Sequence, residues 1–147
     1  MAGNKSRIAG SQWENTLELL CRSQGILTIK MPLGCRRVGP KRLIQIKTAF
    51  DYVLIDSRGT VCFLDCKSFD SDRMSHSQLT EHQVDKLSDI EHHKVRAGYL
   101  VYFRKINVVV FFDASKMKAL RPGHSLTASD GEYLGHWDNP CLGNLFC

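Results

Sequence analysis

No stretch of this 147-residue chain approaches the roughly 20 consecutive apolar residues that a membrane-spanning helix needs. The N-terminal Met-Ala-Gly-Asn-Lys-Ser-Arg lacks an apolar core segment, so a secretory signal is not expected and the protein is expected in the cytosol. Cys-x-x-Cys pairs are missing as well. The six cysteines, Cys21, Cys35, Cys62, Cys66, Cys141 and Cys147, do not have the ligand spacing of a structural zinc site. In a cytosolic chain they are not expected to form disulfides either. Cys62 and Cys66 fall inside an apolar strand pattern, where a thiol behaves as a small hydrophobe. Prolines number only 4, and there are no internal repeats or low-complexity tracts. Acid is the scarcer charge, with 15 Asp and Glu against 20 Lys and Arg. The resulting net charge of +5 and pI near 9.0 favour a polyanionic partner.

What is present is the composition of one globular domain, 43% hydrophobic and 24% charged, long enough to bury a core and too short for two ordinary domains. The spacing predicts a first helix from Ser11 to about Ser23. Ser11 serves as its N-cap, Glu14 stands at the capping-box position, and Trp13, Leu17, Leu20 and Cys21 form one buried face, with Gly25 as the stop. A strand is expected over Ile26–Met31, then a basic, glycine-rich loop from Gly34 to Pro40, then a half-exposed strand over Arg42–Thr48. Two apolar runs, Tyr52–Ile55 and Val61–Leu64, flank Ser57-Arg58-Gly59, a three-residue hairpin loop with glycine last. After a polar loop over Phe69–Ser77, a second helix is expected from Glu81 to Arg96. Thr80 would be its cap, Gln83 the capping-box partner and Gly98 the stop. A second apolar hairpin (Tyr99–Phe103 with Asn107–Phe112) and a short helix near Ser115–Leu120 follow. Residues 121–147 suggest no placement. This order implies an α/β domain with a mixed β-sheet flanked by helices.

The chemistry concentrates in Phe50–Lys67. Side chains alternate across a strand, so Asp65 and Lys67 share one face while Cys66 takes the other. With Ser57-Arg58-Gly59 as the loop, Asp56 pairs with Thr60 and Asp51 falls directly opposite Asp65. Facing carboxylates repel and raise one pKa. A divalent cation such as Mg²⁺, which takes one or two protein carboxylates and keeps several waters, relieves that repulsion. Lys67 would then orient or deprotonate a water and stabilise charge on a phosphate, a set suited to phosphodiester hydrolysis. The plain reading of the same residues is a strand-entry aspartate beside a surface Asp65–Lys67 salt bridge. The flanking apolar strands and the opposed Asp51 weigh against it.

An acidic residue, a gap and then Asp/Glu-x-Lys at the end of a β-hairpin resembles the signature of the PD-(D/E)XK nucleases. Here it reads Asp51…Asp65-Cys66-Lys67, with Phe50 in the place of the proline. Within that superfamily the chain resembles the Holliday junction resolvases, most closely the RecU type. The likeness rests on Gly10-Ser-Gln-Trp-Glu14, Lys47-Thr-Ala-Phe-Asp51, Leu64-Asp65-Cys66-Lys67 and Thr80-Glu-His-Gln83, and covers about residues 8 to 118. The resemblance implies a single restriction-endonuclease-like domain over 1–147. Glu14, Asp51 and Asp65 would bind Mg²⁺ (or Mn²⁺), Lys67 would act on water or phosphate, and Gln83 would act at the scissile phosphate. For Glu14 and Gln83 the cap remains an equally complete explanation. RecU proteins are longer and insert a stalk into the junction, where this chain offers only Met31–Leu43.

The function so implied is a Mg²⁺-dependent endodeoxyribonuclease resolving four-way junctions. It would act as a homodimer, because two symmetric cuts match two-fold symmetry, in the cytoplasm of a bacterial or phage-infected cell. Lys5, Arg7, Arg36, Arg37, Lys41, Arg42 and Lys47 would contact phosphates without reading sequence. Two other readings stay open. One is a nicking or restriction-like nuclease on duplex, flap or damaged DNA. The other is a non-catalytic DNA-binding or virion module on the same fold, which the intact Asp51, Asp65, Lys67 set disfavours.

Overall fold

The first helix, α1 (Ala2–Ser23), starts well before the expected Ser11, so Ser11 lies in the helix interior and caps nothing. No proline interrupts residues 2–10, and a glycine in a helix costs only about 1 kcal/mol, so Gly3 and Gly10 do not stop it. Trp13, Leu17 and Cys21 are all buried, as their spacing requires. The helix ends where expected: Gly25 adopts φ 71° and the Ile26 N–H donates to the Cys21 carbonyl at 2.8 Å. The structure, a computed structural model, describes residues 2–32, 34–46 and 48–147, and the side chains of 10–32, 37–44 and 48–147.

The strands that follow are β1 (Leu27–Lys30), β2 (Gly34–Arg37), β3 (Leu43–Ile46), β4 (Tyr52–Ile55), β5 (Val61–Phe69) and β6 (Arg73–Ser75). After these come α2 (Glu81–His92), β7 (Arg96–Phe103), β8 (Val108–Asp113), α3 (Ala114–Ala119), β9 (Ser125–Thr127) and β10 (Glu132–His136). Six strands form the main sheet in the order β1-β4-β5-β7-β8-β10. Among the described residues only β5 and β7 pair in parallel, the crossover between them carrying α2. This is the expected mixed sheet flanked by helices. Two elements depart from expectation. The basic segment expected as a loop is one arm of a separate β2–β3 hairpin, and β6, expected as loop, pairs with β9. Residues 121–147 supply β9, the edge strand β10 and a final 3₁₀ turn whose Leu142, Leu145 and Phe146 are buried.

Each face of the sheet has its own core. Trp13, Leu17 and Cys21 of α1 pack on Tyr52, Leu54, Cys62, Leu64, Leu100 and Phe111. On the other face Val84 and Leu87 of α2 and Met117 of α3 cover Tyr99, Val101, Phe103, Val110 and Phe112. Strand β7 is buried on both faces, which explains its nearly continuous apolar run. α2 stops four residues short of the expected Arg96, because Lys94 takes the left-handed turn at φ 62°. Gly98, expected as the helix stop, lies in β7 instead, where an added Cβ would sit 2.1 Å from the Phe112 carbonyl oxygen. The face that α2 and α3 protect leaves β1 open: Leu27 and Ile29, on the side of Val53 and Phe63, are 59% and 44% exposed.

Candidate active site

The β4–β5 hairpin has the expected register. Ile55 pairs with Val61 and Tyr52 with Leu64, and the Asp56 N–H donates to the Thr60 carbonyl at 3.0 Å. Gly59 closes the loop at φ 82°. Asp56 Oδ1 accepts from the N–H groups of Arg58 (2.9 Å) and Thr60 (2.8 Å), which pins the three-residue turn. Carried one step further, this ladder brings Asp51 beside Asp65. Asp51 Oδ2 accepts the Cys66 N–H across the strands at 2.8 Å, and the charge of Asp51 acts on the Asp65 carboxyl.

Asp65 is the centre of the group and is only 1% exposed. Its Oδ1 accepts from Gln83 Nε2 at 3.1 Å, and its Oδ2 lies 3.0 Å from Lys67 Nζ. That second contact is an ion pair outside hydrogen-bond geometry, so Oδ2 is buried without a hydrogen bond. Burial, reinforced by the charge of Asp51 and opposed by Lys67, pushes the Asp65 carboxyl up to about 8. Lys67 keeps 23% of its side chain exposed and donates to Gln83 Oε1 at 3.4 Å. Gln83 therefore presents its carbonyl to the ammonium and its amide to the carboxylate, the only orientation that satisfies both. Thr80, at the start of α2, makes no side-chain cap bond, so Gln83 serves the acidic group rather than a capping box.

Glu14 stands apart. It occupies α1, across the sheet, and its carboxylate pairs with Lys30 at 3.2 Å. Its negative charge helps raise Tyr52 and Cys66. Among the described residues no three His, Cys, Asp or Glu side chains gather closely enough to hold a metal. The Asp51–Asp65 pair nevertheless fits a divalent cation of the Mg²⁺ kind, which needs only one or two carboxylates. The unbonded, buried Asp65 oxygen is the sort of atom that such an ion satisfies. Among the described residues the cysteines gather into no metal site: Cys21, Cys62, Cys66, Cys141 and Cys147 are free, and burial pushes the Cys21 and Cys62 thiols up to about 12.

Two residues escaped the sequence reading. Tyr99 pairs with Asp65 in the β5–β7 register, and its hydroxyl is buried without a partner. Its phenol is pushed up by burial and then by the charges of Asp65 and Asp51. Glu18, one helical turn beyond Glu14, accepts the Tyr52 hydroxyl at 2.6 Å. Tyr99 carries no local signal, since an apolar strand run hides it, whereas the Glu14–Glu18 spacing could have drawn attention to Glu18. Of the basic residues, Arg37, Lys41 and Arg42 are exposed on the β2–β3 hairpin. Lys47 and the side chains of Lys5, Arg7 and Arg36 lie outside the described residues.

Among solved structures, the chain is similar to Archaeoglobus fulgidus Hjc, a Holliday junction resolvase from an archaeal hyperthermophile. The TM-score is 0.60 at 16% identity, over 84% of this chain and 95% of that one, a likeness of fold. No curated protein matches. The fold is the restriction-endonuclease-like fold of the PD-(D/E)XK class. The model of the RecU family, Recombination protein U, matches residues 35–125, more than half of the chain, and the chain belongs to that family. Its members are Holliday junction resolvases, which makes this protein an endodeoxyribonuclease of a divalent-metal-dependent kind.

Proposed function

We propose that Asp51 and Asp65 together hold Mg²⁺ and that Lys67 acts at the scissile phosphate of a four-way DNA junction. The observation that carries this assignment is the buried Asp65 carboxylate, set against Asp51 and bridged to Lys67 by Gln83. When bound, the cation supplies charge neutralisation, Lewis acidity and activation of the nucleophile. The chain's own residues do the rest. The Cys66 N–H fixes Asp51, and Gln83 fixes both Asp65 and the Lys67 ammonium. Lys67, partly exposed, stabilises negative charge developing on the phosphate. Glu14 would join the metal from the α1 side only by exchanging Lys30 for the cation.

The exposed Arg37, Lys41 and Arg42, with Lys5, Arg7, Arg36 and Lys47, are assigned to backbone phosphates. The uncovered Leu27 and Ile29 are assigned to the interface of a two-fold dimer, which places two active sites for two symmetric cuts. No helix among the described residues is long and apolar enough to cross a membrane, and the cytoplasm of a bacterial or phage-infected cell is the assigned compartment. The test is cleavage of a synthetic four-way junction beside a matched linear duplex, with and without Mg²⁺. Paired, Mg²⁺-dependent cuts in the junction alone support the assignment. Equal cutting of both substrates supports the nicking or restriction-like reading instead, and binding without cutting refutes catalysis.

A further inference from the structure

On the α1 face of the sheet, opposite the acidic pair, three aromatic rings run in series. Trp13 and Tyr102 have centroids 5.4 Å apart, and Tyr102 and Trp137 5.6 Å apart. They come from α1, from the end of β7 and from the turn after β10. Tyr102 pairs with Ser68, one residue beyond Lys67 along β5, so the rings lie at the same end of the sheet as the acidic pair. With Gln12, Asn15 and Arg104 they line a cleft of about 510 Å³, within the roughly 300–1,000 Å³ range of small-ligand sites.

The cleft is open and mostly apolar, as a stacking surface requires, with polar side chains at its edge. Trp13 is the floor at 2% exposure, Tyr102 and Trp137 remain partly exposed, and the rim is amide and guanidinium. Two N–H donors, Trp13 Nε1 and Arg104 Nε, are buried without an acceptor among the described residues. Unmatched buried donors are rare in folded proteins because of the desolvation they cost. Among the described residues no acidic side chain lines the cleft. The complement of this lining is a flat π surface, polar groups at its edge and a negative charge beside it. An apolar peptide segment offers none of these together, whereas an unpaired nucleotide offers all of them.

We infer that this cleft stacks an unpaired DNA base, with Trp137 and Tyr102 as the platform and Arg104 taking the adjoining phosphate. The inference rests on the proposed function only for the strand that arrives there, and it names a feature the nuclease centre does not read: an unstacked nucleotide near the branch. Aromatic stacking of this kind tolerates any base, because every base presents a π face.

Both tryptophans of the chain line the cleft, so all of its indole emission reports on this one site. The experiment titrates metal-free protein with a short oligothymidine and, in parallel, with an abasic oligodeoxynucleotide of the same length. The oligothymidine is expected to quench the emission saturably and to bind about tenfold more tightly than the abasic strand. Trp137→Ala removes that tenfold difference, and Trp137→Phe, which keeps a ring, restores most of it. Equal quenching and equal affinity for the two strands overturns the inference, and that comparison needs only the wild-type chain. No cleavage is involved. A failed junction assay would therefore sink the proposed function alone, whereas active cleavage without base-dependent quenching would sink the cleft alone.

Discussion

Replacing Asp65 with asparagine keeps the shape of the side chain and removes its charge, which separates the stability of the site from its chemistry. The Asp65 carboxyl is 1% exposed and is pushed up to about 8 from an ordinary 3.8, chiefly by burial. Below pH 3.8 the folded and unfolded states are both protonated there and nothing is at stake. Between 3.8 and about 8 the folded protein holds a proton that the unfolded chain has released, so stability falls as pH rises. Above about 8 the contribution is flat. From 3.8 to 7 is roughly three pH units at ~1.4 kcal/mol each, an upper figure of about 4 kcal/mol. A real interior relaxes around a charge, so we expect about half of that, ~2 kcal/mol. In EDTA at pH 7, Asp65→Asn is therefore expected to be more stable than wild type by ~2 kcal/mol, or about 4–8 °C in Tm for a chain of this size. The difference should shrink to nothing by pH 4. Saturating Mg²⁺ reverses the order, since wild type gains RT ln(1 + [Mg²⁺]/Kd) that the variant lacks. Cleavage should be lost throughout. Urea or thermal unfolding from pH 4 to 9 decides the matter. An asparagine variant less stable than wild type at pH 7 without metal, or a difference that persists at pH 4, would refute the account of Asp65 as a carboxyl whose ionisation burial opposes.

Gln83→Ala removes the bridge between Asp65 and Lys67, and we expect about 10–100-fold slower single-turnover cleavage with junction affinity little changed; unaltered turnover would return Gln83 to a structural role. Replacing Arg37, Lys41 and Arg42 with alanine should weaken DNA binding uniformly across sequences and lower the salt slope by about one for each phosphate no longer neutralised. An unchanged slope would remove the β2–β3 hairpin from the interface. Gly98→Ala forces a Cβ against the Phe112 backbone and should lower stability by about 1–3 kcal/mol in urea unfolding, with an unperturbed midpoint counting against the close β7–β8 approach.

The hairpin carrying the aspartates was readable in advance because its information is local. A three-residue loop ending in glycine sets which residues face each other, and strand alternation then assigns the faces. The reading failed where a local pattern had two physical meanings. Ser11 and Glu14 have capping-box spacing, yet the helix runs on to Ala2, because nothing upstream forbids it. Gly98 looked like a helix stop and is instead a point of close strand approach, a requirement set by Phe112 on a neighbouring strand. The basic segment showed its charge but not its shape, since a short hairpin outside the main sheet has little hydrophobic periodicity to betray it.

Sequence alone determined that Asp51, Asp65 and Lys67 share one face at the mouth of a β-hairpin, because turn length and the two-residue period of a strand act between neighbours and need no knowledge of what lies above. Tertiary structure alone decided what surrounds them. The docking of α2 over β5 turned Gln83 from a helix cap into a bridge. The parallel pairing of β7 buried the Tyr99 hydroxyl beside Asp65, and three distant segments met to place Trp13, Tyr102 and Trp137 in one cleft. Desolvation and long-range partnership depend on which surface covers a residue, and no short stretch of chain contains that information.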